Sequence, residues 1–134
     1  MDLIAGDFTY GTIVTSSRRV SKGEFYMTDK IVVFSTCGSQ EEAERLARGL
    51  LEAHLAACVN VIMQIRSFCW WKGKIEESGE WLLMIKTSQA LFDRVRTLLE
   101  SSHSYELPEV LALPVVEGSP NYLAWLDKEL EVAE

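Results

Sequence analysis

Cysteine is scarce in this chain: Cys37, Cys58 and Cys69 are the only three in 134 residues, and they stand 21 and 11 residues apart. That spacing excludes a CxxC redox pair and a zinc knuckle. An odd, sparse count suits a reducing compartment. Each thiol is read first as a small buried hydrophobe and second as a ligand or nucleophile. Long hydrophobic runs are missing too. No stretch approaches the roughly 18 uninterrupted apolar residues of a membrane span, and residues 1–26 lack the basic start and apolar block of a secretory signal. A cytoplasmic protein is expected, with no membrane partner. Positive charge is also short. Thirteen Lys and Arg against 20 Asp and Glu leave a net charge of -7, so a phosphate backbone would find little counter-ion release to drive binding. Nucleic acid is not an expected partner. There is no Gly-rich loop after a strand, no GxSxG and no HExxH. With no nucleophile beside a base and an orienter, an enzyme is not expected either.

What is present suits one domain with one core. Residues 1–26 carry three basic and three acidic side chains, so the whole negative balance lies downstream. Residues 1–27 read as a leader, flexible or contributing an added edge strand through the alternation at Phe8, Tyr10, Thr12 and Val14; residues 28–134 form the domain. "IVVFST" (31–36) is a central strand. Ser39 caps a helix with Glu42 as its reciprocal capping-box partner, and Ala43, Leu46, Ala47, Leu50 and His54 share one stripe. Two long strands, 57–71 and 74–87, join at Lys72-Gly73 as a hairpin. Ser88 is the N-cap of a second helix carrying Leu91, Val95, Leu98 and Leu99. A fourth strand spans 109–116, where Pro114 demands an edge or a bulge. Ser119-Pro120 opens a closing helix with Tyr122, Leu123 and Leu126 inward. The fold class is α+β: a ferredoxin-like βαββαβ order with an extended hairpin between its second and third strands, plus a C-terminal helix.

The hairpin is too long for its domain. With Lys72-Gly73 as the turn, Trp71 faces Lys74, Trp70 faces Ile75, and the register runs back to Cys58 opposite Thr87. Strands of about 14 residues at about 3.3 Å each reach roughly 46 Å, whereas a domain of the remaining size is about 34 Å across. An overhanging two-stranded ribbon is marginal in water, and Trp70, Trp71 and Trp81 would stay exposed along it. A second copy is the simplest cover, since closed cyclic assembly leaves no open edge. The other possibility is a bend at Met63-Gln64 that folds the hairpin back onto its own core.

Few residues suggest chemistry. His54 reads as a packed histidine on the first helix's inner stripe. His103 lies in "SSHSYELPE", between a helix end and Pro108. It either favours the helix dipole or acts as a ligand or proton carrier. Tyr105, Glu106 and Glu109 follow closely and would converge with it on one cleft. Lys86, if turned inward, would anchor a carboxylate or phosphate among these acids. Cys37 sits at a helix N-terminus, a position that favours a thiolate.

"AACVNVI", "WWKGKIEE", "IKT", "YELPEVLALPVVEG" and "YLAWL" occur in order from 56 to 126. Together they resemble the CutA divalent-cation tolerance family, over essentially everything after the leader. The resemblance implies a ferredoxin-like homotrimer with interlocked hairpins, similar in plan to PII-type signalling proteins, in which Trp70, Trp71 and Trp81 lie at the trimer interface. It also implies a copper or other divalent-cation site, built in the family from a first-strand cysteine and two adjacent histidines. Here Ser35 holds the cysteine position, with Cys37 two residues on, and Ser102-His103 replaces the histidine pair. The metal candidates are therefore His103, Cys37 and Cys58, the thiols suiting Cu(I) held with His103 across a subunit boundary. Lys86, Tyr105, Glu106 and Glu109 are the candidate cleft for a small anionic ligand. The alternative is a hyperstable interaction module, or a PII-like signalling module without tight metal binding.

Overall fold

The computed structural model describes residues 18–19 and 26–131, with side chains from Thr28 onward. Of the expected leader, only β1 (Arg18–Arg19) and β2 (Tyr26–Met27) are described, paired antiparallel as a separate two-stranded sheet. The alternating run from Phe8 to Val14 lies outside the described residues. The domain then runs β3 (Lys30–Cys37), α1 (Gln40–Glu52), β4 (Cys58–Trp71), β5 (Lys74–Ser88), a 3-10 turn at Gln89–Leu91, α2 (Phe92–Ser102), β6 (Leu111–Pro114) and α3 (Pro120–Glu129). The main sheet has the order β4-β5-β3-β6 with every pair antiparallel, the α+β arrangement expected. β6 is an edge strand, which explains how it tolerates Pro114.

One face of the sheet is covered by helices. Ile31 and Val33 of β3 and Leu83 and Ile85 of β5 alternate inward against Leu46 and Leu50 of α1 and Val95 and Leu99 of α2, all buried. The α1 stripe of Ala43, Leu46, Ala47 and Leu50 is buried as its spacing requires. On the other face, β6 is exposed throughout and Leu111 and Leu113 stand 61% and 51% exposed.

Four local expectations are corrected. Ser39 Oγ does accept the Glu42 N–H, but the Glu42 carboxylate turns to Ser104 rather than back to the cap. His54 lies beyond the inner stripe: at φ +56 it ends the helix in the left-handed conformation, exposed, with Nδ1 on the Glu129 carbonyl. The second helix starts at Phe92, because a 3-10 turn follows Ser88 and that serine makes no side-chain cap bond. In α3 only Leu126 is buried, while Tyr122 stands 42% exposed.

The hairpin turns at Lys72 (φ 53) and Gly73 (φ 84), the two positive φ values that match the strands' own twist. Its register holds from Trp71↔Lys74 to Ile65↔Glu80 and then shifts, so Cys58 pairs with Lys86, not Thr87. Met63 and Gln64 together oppose Trp81, a bulge with Gln64 at φ 60. The bulge does not fold the ribbon back on its own core. Phe68, Trp70 and Ile75, on one face of the overhang, remain 59%, 73% and 63% exposed.

Candidate functional site

A polar cluster forms where β3 ends, α1 begins and the loop after α2 crosses over. His103 is the C-cap of α2, and its side chain has no exposed surface. Its Nδ1 accepts the Tyr105 N–H at 3.0 Å, so the proton sits on Nε2, which donates to the Thr36 carbonyl at 2.9 Å. Both ring nitrogens are thus engaged, and the imidazole works as a clamp between the loop and β3. It is a buried bracket, not a surface histidine favouring the helix dipole.

Glu42 anchors the same loop. Its carboxylate accepts the Ser104 N–H at 2.7 Å and the Ser104 hydroxyl at 2.8 Å, with His103 Nδ1 at 3.5 Å and Arg45 at 3.7 Å. Burial on its own would raise the Glu42 carboxyl. The two Ser104 hydrogen bonds and the charge of Arg45 outweigh it and hold the group below the usual carboxylate range.

Next to this bracket the Tyr105 hydroxyl donates to Glu80 at 2.7 Å. The phenol passes close over Gly38, where an added Cβ would meet its oxygen at 3.3 Å. Burial first, then the Glu80 carboxylate, push the Tyr105 hydroxyl well above its ordinary range. Burial, and then the charge of Glu80, also raise Glu109. Two carboxylates and a phenol therefore share this end of β5, while Glu106 of the same loop faces solvent. Cys37 is fully buried, and its Sγ donates to the Ser39 carbonyl at 3.6 Å. Burial pushes the thiol up, which reverses the thiolate expected from the helix N-terminus.

The structure brings together His103, Cys37, Tyr105 and Glu109 but not the other candidates. Cys58 pairs with Lys86 five residues along β5 from the Cys37↔Trp81 pair, roughly 16 Å away. Lys86 lies six residues beyond Glu80, roughly 20 Å within one chain, because an extended strand cannot bring both ends of its face to one point. Trp81 is partly buried and packs against the core at the hairpin base. Among the described residues, no group of three or more His, Cys, Asp or Glu is placed to hold a metal ion. A buried protonated thiol, a doubly engaged imidazole and Ser35 do not fit copper within one chain. Glu42 and Glu80 were missed as site residues. Glu42 was hidden by its position as a capping residue, whereas an acid opening the apolar run "EWLLMI" was a readable signal.

The chain's relatives agree with this fold. The family model for the CutA1 divalent ion tolerance protein matches residues 31–129. The chain is 44% identical over 99 residues to the divalent-cation tolerance protein CutA of Archaeoglobus fulgidus, covering 74% of this chain and 96% of that one. It is 44% identical over 112 residues to protein CutA of Mus musculus, covering 83% of this chain but only 63% of the mouse protein. The crystal structure of CutA1 from Oryza sativa superimposes with a TM-score of 0.77 at 38% identity, over 80% of this chain and 98% of that one. With a family model spanning most of its length and an archaeal relative matched nearly end to end, the chain belongs to the CutA1 divalent ion tolerance family.

Proposed function

We propose that this chain is a non-enzymatic, homotrimeric binding protein of the cation-tolerance response, whose clefts between copies hold a small ligand or a divalent cation. The observation that carries it is the uncovered apolar surface: Phe68, Trp70 and Ile75 on the overhang, with Leu111 and Leu113 on the sheet face opposite α1 and α2. Surface of that kind on a paired ribbon calls for a second copy. The PII-like plan follows from the family resemblance. Copper held by His103 with Cys37 or Cys58 would require the His103 bracket to open. The cytoplasmic reading rests on the sparse free thiols, Cys69 exposed among them. Relatives from rice and Arabidopsis thaliana carry chloroplastic names, and a solved Archaeoglobus fulgidus structure is described as periplasmic. No described helix is long and apolar enough to cross a membrane.

The test is light scattering at micromolar concentration together with melting curves against Cu(I), Cu(II), Zn(II) and a panel of small carboxylates and phosphates. A trimer whose Tm rises with ligand concentration supports the reading. A monomer, or a Tm that no ligand moves, sinks it. The exposure of Leu107, 72%, favours a second reading as an interaction module, and a pull-down returning only the protein itself would count against that.

A further inference from the structure

The loop after α2 lies where the family resemblance places copper ligands, yet its polar groups are already committed within the chain. Ser102 gives its carbonyl to Arg45 at 2.9 Å. His103 accepts the Tyr105 N–H on Nδ1 at 3.0 Å and donates from Nε2 to the Thr36 carbonyl at 2.9 Å. Ser104 places its N–H and its hydroxyl on the two Glu42 oxygens at 2.7 and 2.8 Å, and the Tyr105 hydroxyl closes on Glu80 at 2.7 Å. The loop from Ser102 to Tyr105 is thus tied to β3, α1 and β5 in turn.

The strand side of the same place is closed as well. Ser35 and Cys37 stand two residues apart on β3, share its inward face and are fully buried. Ser35 pairs with Leu83 of β5, and its hydroxyl finds no hydrogen-bond partner among the described residues. Copper is suited by thiolate and imidazole rather than by a neutral hydroxyl. An orphaned hydroxyl in a core is therefore a cost, not an open ligand position: a thiol or methyl would sit there without one. Cys37 keeps its hydrogen on the Ser39 carbonyl at 3.6 Å.

Copper could reach His103 only by displacing a present partner. Taking Nδ1 leaves the Tyr105 N–H without its acceptor, and taking Nε2 removes the donor from the Thr36 carbonyl. The His103 side chain has no exposed surface, so the loop must also lift and Ser104 must leave Glu42. Each hydrogen bond given up lowers an apparent affinity by roughly five- to tenfold, so one ring contact and both Ser104 contacts together lower it by about a hundred- to a thousandfold.

We infer that in this chain a hydrogen-bonded lock stands in place of the family's copper position. Glu42, Ser104 and His103 hold the loop against α1 and β3 with no metal, and the imidazole is closed to copper while Glu42 holds Ser104. Every residue of the lock belongs to one chain, so the inference does not depend on how copies assemble. A cation or small ligand held between copies would use other groups.

The experiment is heteronuclear NMR of the reduced, EDTA-treated full chain, reading the two ring nitrogens of His103 and the amide exchange of Ser104 and Tyr105. A neutral ring with its proton on Nε2, unmoved by one equivalent of Cu(I) per chain, is expected, with both amides protected in the metal-free protein. Displacement of either nitrogen by Cu(I) overturns the inference. So do amides that gain about tenfold or more in protection only once copper is added. Glu42→Gln should lower the protection of both amides about tenfold or more, as loss of a hydrogen bond to a charged group does. Should that variant fail to fold, Ser104→Ala decides, since it removes the hydroxyl contact alone and should lower protection about fivefold or more. Unchanged protection in either variant overturns the lock. Melting curves with Zn(II) and small carboxylates on the same samples report on the broader reading independently.

Discussion

Replacing Glu42 by Gln should cost about as much as any single polar change in this protein, and the cost should vanish in acid. The Glu42 side chain is 8% exposed and receives both the backbone and hydroxyl hydrogens of Ser104. Hydrogen bonds to a charged group contribute about 1.5–3 kcal/mol each, against about 1 for neutral pairs. Glutamine keeps one acceptor oxygen and presents its amide hydrogens to the other Ser104 donor, so one contact is lost and one weakened. A loss of about 2–4 kcal/mol at pH 7 follows. The pH dependence has a defined sign. The folded-state pKa of Glu42 is depressed, so its contribution is complete above the unfolded value near 4.5 and is lost as pH falls through the folded one. Below that, wild type carries a neutral acid and resembles the variant. Urea unfolding of both proteins at pH 7, 5 and 3, at one protein concentration, should show the gap narrowing over the acid step. A gap below about 0.5 kcal/mol at pH 7, the size of an ordinary surface change, would refute the bracket. So would a gap of constant size across all three pH values.

Other outcomes follow from the same geometry. Tyr105→Phe should destabilise by about 1–3 kcal/mol, since Glu80 loses its donor while only 7% exposed. In an ultraviolet titration, wild type should show one phenol ionising above the ordinary tyrosine range that Tyr105→Phe lacks. Gln64→Gly should stabilise and Gln64→Val destabilise, the latter by about 1–2 kcal/mol, because the bulge holds φ at 60; equal melting of the two would remove the strain. Ser39→Ala should cost about 1 kcal/mol through loss of the Glu42 N–H acceptor. In alkylation of native protein, Cys69 should react first and Cys37 only on unfolding, since one is exposed and the other buried with a raised pKa.

Much of the architecture was legible because it rests on local periods. The α1 stripe, the alternation of β3, the Lys72-Gly73 turn and the Pro114 edge each follow from residue spacing and backbone stereochemistry. The overhang followed from strand length alone. The site was less legible, because side-chain partners are chosen across the fold. Glu42 and Ser104 lie 62 residues apart, and nothing local tells a capping glutamate that a better donor awaits it. His103 looked like a surface residue until the loop to Tyr105 folded back over it. The register slip at Met63-Gln64 moved Cys58 from Thr87 to Lys86, a one-residue change that reverses which face a side chain serves. The sequence by itself thus determined the elements, their order and the excess of apolar surface along the hairpin. Only the tertiary structure decided which charges are buried, which nitrogen of His103 carries its proton, and that Lys86 lies at the opposite end of the sheet from the acids. Hydrogen bonding and burial depend on neighbours that the chain meets only once it has folded.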